Sequence, residues 1–281
     1  MNRIFVVRVG ADTTYSPLRS PVFDKGRFEY MPIWEGEKEG GKWRSPPIDY
    51  KHPMLRYCDI PCSNMPDHML DEFVPKNRSQ WPAHNDPEFE SMTYGDVCEH
   101  SARARNLIDN PKKDWTGVRQ GDYLFFLARL ERHDGNRFTN KAGFYFVGYF
   151  HIEKVYNPIQ VQKLLDSSKE TKIGMNAHVL RAKAEPNFLW TDKRYKFWVF
   201  KGGADSRRFT YALEAEWDWL YSVFRDAHGN HWKKMANQST LQRIMSYTRT
   251  IRCQIDPRDP QQRHRYDLFW DKVQQHLELE E

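Results

Sequence analysis

The sequence predicts an α+β fold, an antiparallel, partly closed, β-barrel-like sheet with packed helices, organised as a single domain over residues 1–281. Two observations predict it. Residues 123–130 and 144–155 are aromatic-rich, strand-like runs, and the charged turn Glu131-Arg132-His133-Asp134-Gly135-Asn136 between them suits a hairpin. Near the C-terminus, Leu241, Ile244, Met245 and Ile251, and then Tyr266, Phe269, Trp270, Val273 and Leu277, recur at helical spacing. Two amphipathic helices, over 239–251 and 261–279, are therefore expected to lay their apolar stripes on the sheet.

The chain begins with a β-branched and aromatic run over residues 4–9, which reads as a strand ended by the polar turn from Gly10 to Pro17. Residues 19–71 carry scattered Pro and Gly, including Pro46-Pro47 and the run from Glu35 to Lys42, and read as loop with short strands. Asp96 followed by Glu99 resembles a capping box, so a helix is expected from Asp96 to about Ile108, stopped by Pro111, with its positive end facing the preceding loop. Asn157-Pro158 opens a short helix through Leu165. Residues 194–201 form a third strong strand bounded by Gly202-Gly203, and 209–213 a short fourth.

Composition narrows the function classes. No apolar run approaches the roughly 20 residues of a bilayer helix and the N-terminus lacks a cleavage signal, so the expectation is a cytoplasmic chain that contacts no membrane. Aromatic residues make up 15% of the chain, including ten Trp, enough to build both a core and a ligand surface. The four cysteines are irregularly spaced; Cys58-x-x-x-Cys62 near His68 and Cys98-x-His100 lack the paired spacing of a structural zinc site, and free thiols are expected. Net charge is only +5, yet residues 172–208 hold nine Lys or Arg against three acids. Interleaved with Phe188, Trp190, Tyr195, Phe197, Trp198 and Phe200, this stretch reads as a nucleic-acid face.

Chemistry concentrates in three clusters. His84-x-Asp86 precedes Tyr94-Gly95-Asp96, and these side chains suit acid–base work, with Asp86 orienting His84 or sharing a metal with it. Asn176-Ala177-His178-Val179-Leu180-Arg181 adds amide, imidazole and guanidinium; on a strand Asn176 and His178 would point together, whereas Arg181 would need a twist or bend to join them. Lys201, Ser206, Arg207 and Arg208 surround a glycine turn suited to phosphate. The candidate catalytic set is thus His84, Asp86, Tyr94, Asp96, Asn176 and His178. The candidate phosphate set is Arg181, Lys201, Ser206, Arg207 and Arg208. Neither a cofactor, a defined metal-ligand set nor an oligomeric state is specified. Serine-hydrolase, zinc-protease, dinucleotide-binding, dithiol-redox and zinc-deaminase signatures are absent.

Val9-Gly10-Ala11-Asp12-Thr13-Thr14, His84-x-Asp86-Pro87-x-Phe89, Thr93-Tyr94-Gly95-Asp96, Gly121-Asp122-Tyr123-Leu124-Phe125-Phe126 and Tyr145-x-Val147-Gly148-Tyr149-Phe150 together resemble the third of the nucleotide modification associated domain families, over roughly Asn2 to Leu213. The resemblance implies a setting in nucleic-acid base modification, with nucleic acid or nucleotide as partner. The Gly-Asp strand followed by the Val-Gly-Tyr strand is also similar to the base-binding barrels of the PUA, ASCH and EVE type. Two functional classes follow: an enzyme acting on a base or nucleotide, or a non-catalytic PUA-like reader that clasps a modified or flipped base. A purely structural partner protein is a third.

Overall fold

A computed structural model describes residues 2–11, 18–35, 37–39, 42–44, 55–65, 67–97, 117–167, 173–184, 196–224, 233–234, 242–243 and 253–281. The first strand, β1 (Ile4–Val9), covers the run expected from sequence, and β2 (Ser20–Val22) follows. The Pro- and Gly-rich region then contributes β3 (Ile33–Trp34), a hairpin of β4 (Glu37–Glu39) and β5 (Lys42–Arg44), and several 3₁₀ turns before β6 (Ala83–His84) and β7 (Thr93–Asp96). The expected helix after Asp96 lies largely outside the described residues.

The expected hairpin is present and longer than its aromatic runs indicate. β8 (Tyr123–His133) pairs antiparallel with the 19-residue β9 (Phe138–Tyr156), with the reversal between them narrowed to residues 134–137. Helix α1 (Pro158–Asp166) is capped by Asn157, whose side chain accepts from the Gln160 N–H while Gln160 reaches back to the Asn157 N–H. Residues 177–184 do not form a strand. They form helix α2 (Ala177–Ala184), because Ala, Leu, Arg and Lys dominate the segment and Asn176 nucleates it: its Oδ1 accepts from the His178 N–H and its carbonyl from the Leu180 N–H.

Next come β10 (Trp198–Gly202), β11 (Arg207–Glu214) and α3 (Trp217–Val223). Of the expected helix at 239–251, only 242–243 are described, and they are β13 (Gln242–Arg243), paired with β12 (Lys233–Lys234) rather than helical. β14 (Cys253–Ile255) and α4 (Pro260–Glu278) end the chain, with Asp259 capping α4 through the Gln261 N–H.

The main sheet has eight strands in the order β14-β1-β8-β9-β10-β7, with β2 added to β8 and β11 to β9. Pairing is mostly antiparallel; the exceptions are β1 and β2, which run parallel to β8. β14 and β7 stand at the two ends of this path, so among the described residues the sheet is open and does not close into the expected barrel. β9 is long enough to hold β8 along one edge and both β10 and β11 along the other.

Both faces of this sheet are covered, which is why β8 is buried almost throughout instead of at alternate residues. On one face Phe125 meets Phe269 and Trp270 of α4 at 4.7 and 5.6 Å between ring centroids. On the other face Phe126 meets Phe89, Tyr94 and Phe150. Gly148 of β9 permits that second contact: a Cβ there would lie 2.8 Å from the Phe89 ring, and its φ of +152° is one that L side chains rarely adopt. Two smaller cores flank the sheet, one built on Met31, Trp34, Tyr57 and Leu70 and the other on Val161, Val179, Phe197 and Val199. No helix among the described residues is long and apolar enough to cross a membrane.

Phe126 is fully buried and bridges the sheet to the loop that carries His84 and Asp86. Phe126→Ala should therefore cost about 3–5 kcal/mol of stability, read from urea unfolding, with the site loop loosened alongside.

Candidate active site

Two short pairings and one helix assemble the site. Ile33 of β3 sits opposite His84 of β6, which places Glu35 beside the imidazole. The loop from Asn85 to Met92 then turns back into β7, held where the Glu88 and Thr93 backbones exchange hydrogen bonds and where the Phe89 ring is embedded between Phe126 and Phe150. Helix α2 crosses β7 and delivers His178 and, one turn on, Arg181.

Asp86 is the meeting point. Its Oδ1 and Oδ2 accept from the Gly95 N–H at 2.9 and 3.0 Å, and Asn176 Nδ2 lies 3.5 Å from Oδ1. Oδ2 faces both histidines, 3.5 Å from His178 Nε2 and 3.8 Å from His84 Nε2. The imidazoles meet edge to face, 4.6 Å between centroids, and His178 stacks on Phe197. Gly95 must lack a side chain here, because a Cβ would strike the His178 ring and lie 2.8 Å from Asn176 Oδ1. Behind His84, its Nδ1–H donates to Glu35 Oε1 at 2.6 Å, and Arg181 donates to Glu35 Oε2 at 3.1 Å.

The cluster is largely withdrawn from water: side-chain exposure is 14% for His84, 16% for His178 and 3% for Asp86. In such surroundings neighbours decide protonation. Burial works against a charged Glu35, yet the His84 and Arg181 charges outweigh it and hold the carboxyl near a pKa of about 2. Burial also disfavours protonated His84, and the Glu35 and Asp86 carboxylates reverse this, raising its pKa above the ordinary 6.5. For His178, burial and then the charge of His84 act together and lower the pKa to about 3, despite the opposing pull of Asp96. Two imidazoles facing one carboxylate are thus shifted in opposite directions, His84 toward its protonated form and His178 toward its neutral form.

Of the residues singled out in the sequence, His84, Asp86, Asn176, His178 and Arg181 come together. Asn176 serves as the cap that ties α2 to Asp86. Arg181 joins the site because it lies three residues after His178 on a helix, where a strand would have turned it away. Tyr94 and Asp96 are buried in β7 and bonded to each other at 2.9 Å, with the Tyr94 ring packed on Phe126 and Phe200. The remaining candidates are placed elsewhere. Lys201 donates to the Ser91 carbonyl at 2.6 Å, bracing the loop from outside. The Ser206 hydroxyl, in the β10 to β11 turn, accepts from the His151 N–H of β9, and Arg207 is exposed beside Tyr149. Arg208 is turned inward to Ser63 and to Glu29, a carboxylate that also accepts from the Ser63 and Asn64 N–H groups. The interleaved aromatics Phe188, Trp190 and Tyr195 lie outside the described residues, whereas Phe197 and Phe200 are buried.

Glu35 is the site residue that the sequence reading missed. It stands at the head of a run rich in Gly, Glu and Lys that has the composition of a solvated loop. Its one local signal is the adjoining apolar pair Ile33-Trp34, a short strand whose partner is about fifty positions away.

The sequence model of the family described as nucleotide modification associated domain 3 matches residues 3–264. The chain belongs to this family. No curated protein and no solved structure matches it. In this member of nucleotide modification associated domain 3, Glu35, His84, Asp86, His178 and Arg181 all fall within the matched span, which reaches beyond the last strand of the sheet into the first turn of α4.

The directions of these shifts fix the sign of the pH dependence. The neutral state of His178 costs nothing above pH 6.5; as pH falls from 6.5 toward 3 the unfolded chain takes up a proton that the native site refuses, and stability is lost. The raised pKa of His84 acts oppositely, adding stability that is complete below 6.5 and lost as pH rises through its folded value. Glu35 adds stability above 4.5 that is lost as pH falls toward 2. Between about pH 5.5 and 4.5 His178 dominates among these three, so His178→Gln should flatten the acid slope of the unfolding free energy by about 1.4 kcal/mol per pH unit. Parallel slopes for the variant and the wild type would refute this assignment. Arg208→Met, which strips buried Glu29 of its cation, should cost about 3 kcal/mol in urea unfolding.

Proposed function

We propose that this domain is an enzyme of nucleobase or nucleotide modification, with a base held against the His84, Asp86 and His178 cluster. The observation that carries the reading is geometric: two largely buried imidazoles, His84 and His178, converge on the Asp86 carboxylate, and their surroundings shift His84 toward its protonated form and His178 toward its neutral form. Their separations from Asp86, 3.5 and 3.8 Å, are longer than ordinary hydrogen bonds, so neither imidazole is tightly bonded to the carboxylate. A nucleobase suits that arrangement because its ring nitrogens and exocyclic groups accept a proton at one edge position and release one at another. In this mechanism His84 donates, His178 accepts, and Asp86 stabilises the charge that passes between them. Glu35 holds His84 by Nδ1, and this hydrogen bond leaves Nε2 to face the substrate.

Arg181 supplies positive charge at the rim. Its side chain is 31% exposed and one guanidinium nitrogen is bonded to Glu35, so it is positioned for a phosphate of a nucleotide or of a nucleic-acid strand. Exposed Arg207 offers a further contact of lower specificity. Family membership supports nucleotide modification as the setting. Against the reader alternative stands the burial of Phe197 and Phe200, which belong to the scaffold and cannot clasp a base.

His84→Ala should lower turnover by about 10²–10⁴-fold while leaving the thermal transition cooperative. The assay is mass spectrometry of nucleosides from cells that produce the protein and cells that lack it. Identical nucleosides in both, together with retained affinity of the purified protein for a modified base, would replace the enzyme with the reader.

A further inference from the structure

We infer that His84, Asp86 and His178 form a binding site for one divalent first-row transition-metal ion. One donor atom from each residue lies within 4.8 Å of the other two. The individual separations are informative. Oδ2 of Asp86 stands 3.5 Å from His178 Nε2 and 3.8 Å from His84 Nε2, too far for N–H···O hydrogen bonds. Ligands bound to one ion at about 2.0–2.2 Å lie roughly 3–3.6 Å apart, so the two Asp86–imidazole separations need to close by only a few tenths of an ångström, and the imidazole donors, within 4.8 Å of each other, would draw together by a rotation of their rings. The distances that are poor for hydrogen bonding suit coordination.

The surroundings hold the three donors in that direction. Nδ1–H of His84 is bonded at 2.6 Å to Glu35, itself bonded to Arg181, and this fixes the imidazole with Nε2 turned to the site. A carboxylate behind a ligating histidine is the arrangement that orients the ring and raises its basicity. Asp86 is held by the Gly95 N–H, which reaches both carboxylate oxygens, and is approached by Asn176 at Oδ1, while Oδ2 also faces the imidazoles. The bare Gly95 backbone lets the start of α2 come close enough to bring His178 to Asp86. Among the described residues this is the one group of three or more metal-ligating side chains that converges.

Two imidazoles and one carboxylate favour Zn²⁺, Fe²⁺, Co²⁺ or Mn²⁺ over the all-oxygen cations Ca²⁺ and Mg²⁺. Three protein donors leave coordination positions for water or for an oxygen or nitrogen of the substrate. The inference goes beyond the proposed function and alters it: with an ion bound, the facing nitrogens of His84 and His178 would serve as ligands in place of the proton-transfer roles given to them above, and the inference rests on the donor geometry alone.

The test uses the untagged full chain, stripped with chelator and titrated with Co²⁺ and Zn²⁺ by calorimetry, with the visible absorption of Co²⁺ as a coordination readout. The expected result is one ion per chain, a loss of at least 100-fold in affinity for His84→Ala and His178→Ala, and about 10–100-fold weakening for Glu35→Gln. X-ray absorption of the Zn²⁺-loaded wild type, which depends on no variant, should show two imidazoles in the first shell. Failure of the wild type to bind either ion, a first shell without imidazole, or unchanged affinity in folded His178→Ala would overturn the site. Metal titration and the nucleoside comparison fail separately: unchanged nucleosides refute the substrate reading while the ion still binds, and absent binding refutes the ion while nucleosides still differ.

Discussion

A carboxylate withdrawn from water is costly unless donors and opposite charge surround it, and the Asp86 carboxylate imposes that condition on three parts of the chain at once. Gly95 must bring its backbone N–H to it, Asn176 must start a helix beside it, and two imidazoles must face it. Each requirement fixes a neighbour. The glycine removes the side chain that would block His178, the helix start orients Asn176, and the strand pair β3 and β6 brings Glu35 behind His84. The site is therefore a consequence of how one buried charge is satisfied, and its residues are mutually dependent.

The sheet supplies the rigidity that this arrangement needs. The loop from His84 to Asp96 is anchored to the central strands by the Phe89 ring, which lies against Phe126 and Phe150 in the space left by Gly148. Lys201 fastens the loop again at the Ser91 carbonyl, and the Tyr30 hydroxyl donates to the Asp86 carbonyl. Side chains whose positions are set by packing on regular strands keep a catalytic geometry without reorganising at the moment of reaction.

Charge in this chain is distributed by role more than by sequence neighbourhood. The stretch from 172 to 208 is the most basic part of the sequence, yet among its described cations Arg208 neutralises a buried glutamate, Lys201 braces a loop and Arg181 anchors Glu35 at the site. A count of charge along the chain does not distinguish a solvated arginine from one that stabilises a buried carboxylate, because that difference arises only when a distant acid is packed against it.

The sequence by itself determined the elements that rest on local patterns. The first strand, the β8 and β9 hairpin, the Asn-Pro entry to α1 and the apolar stripe of α4 were legible because periodicity and capping act over a few residues. So was the chemical content of the loop from His84 to Asp96. Tertiary structure decided what depends on distant partners: that among the described residues the sheet is open, with β1 and β2 parallel to β8, that residues 177–184 are helical and bring Arg181 to the site, and that 242–243 pair as a strand. It also decided that Glu35 belongs to the site while Lys201, Ser206 and Arg208 serve the scaffold. The physical reason is the same in each case: a polar side chain's work depends on the charges and donors that folding places around it, and for these residues most of those neighbours lie tens of positions or more away in the chain.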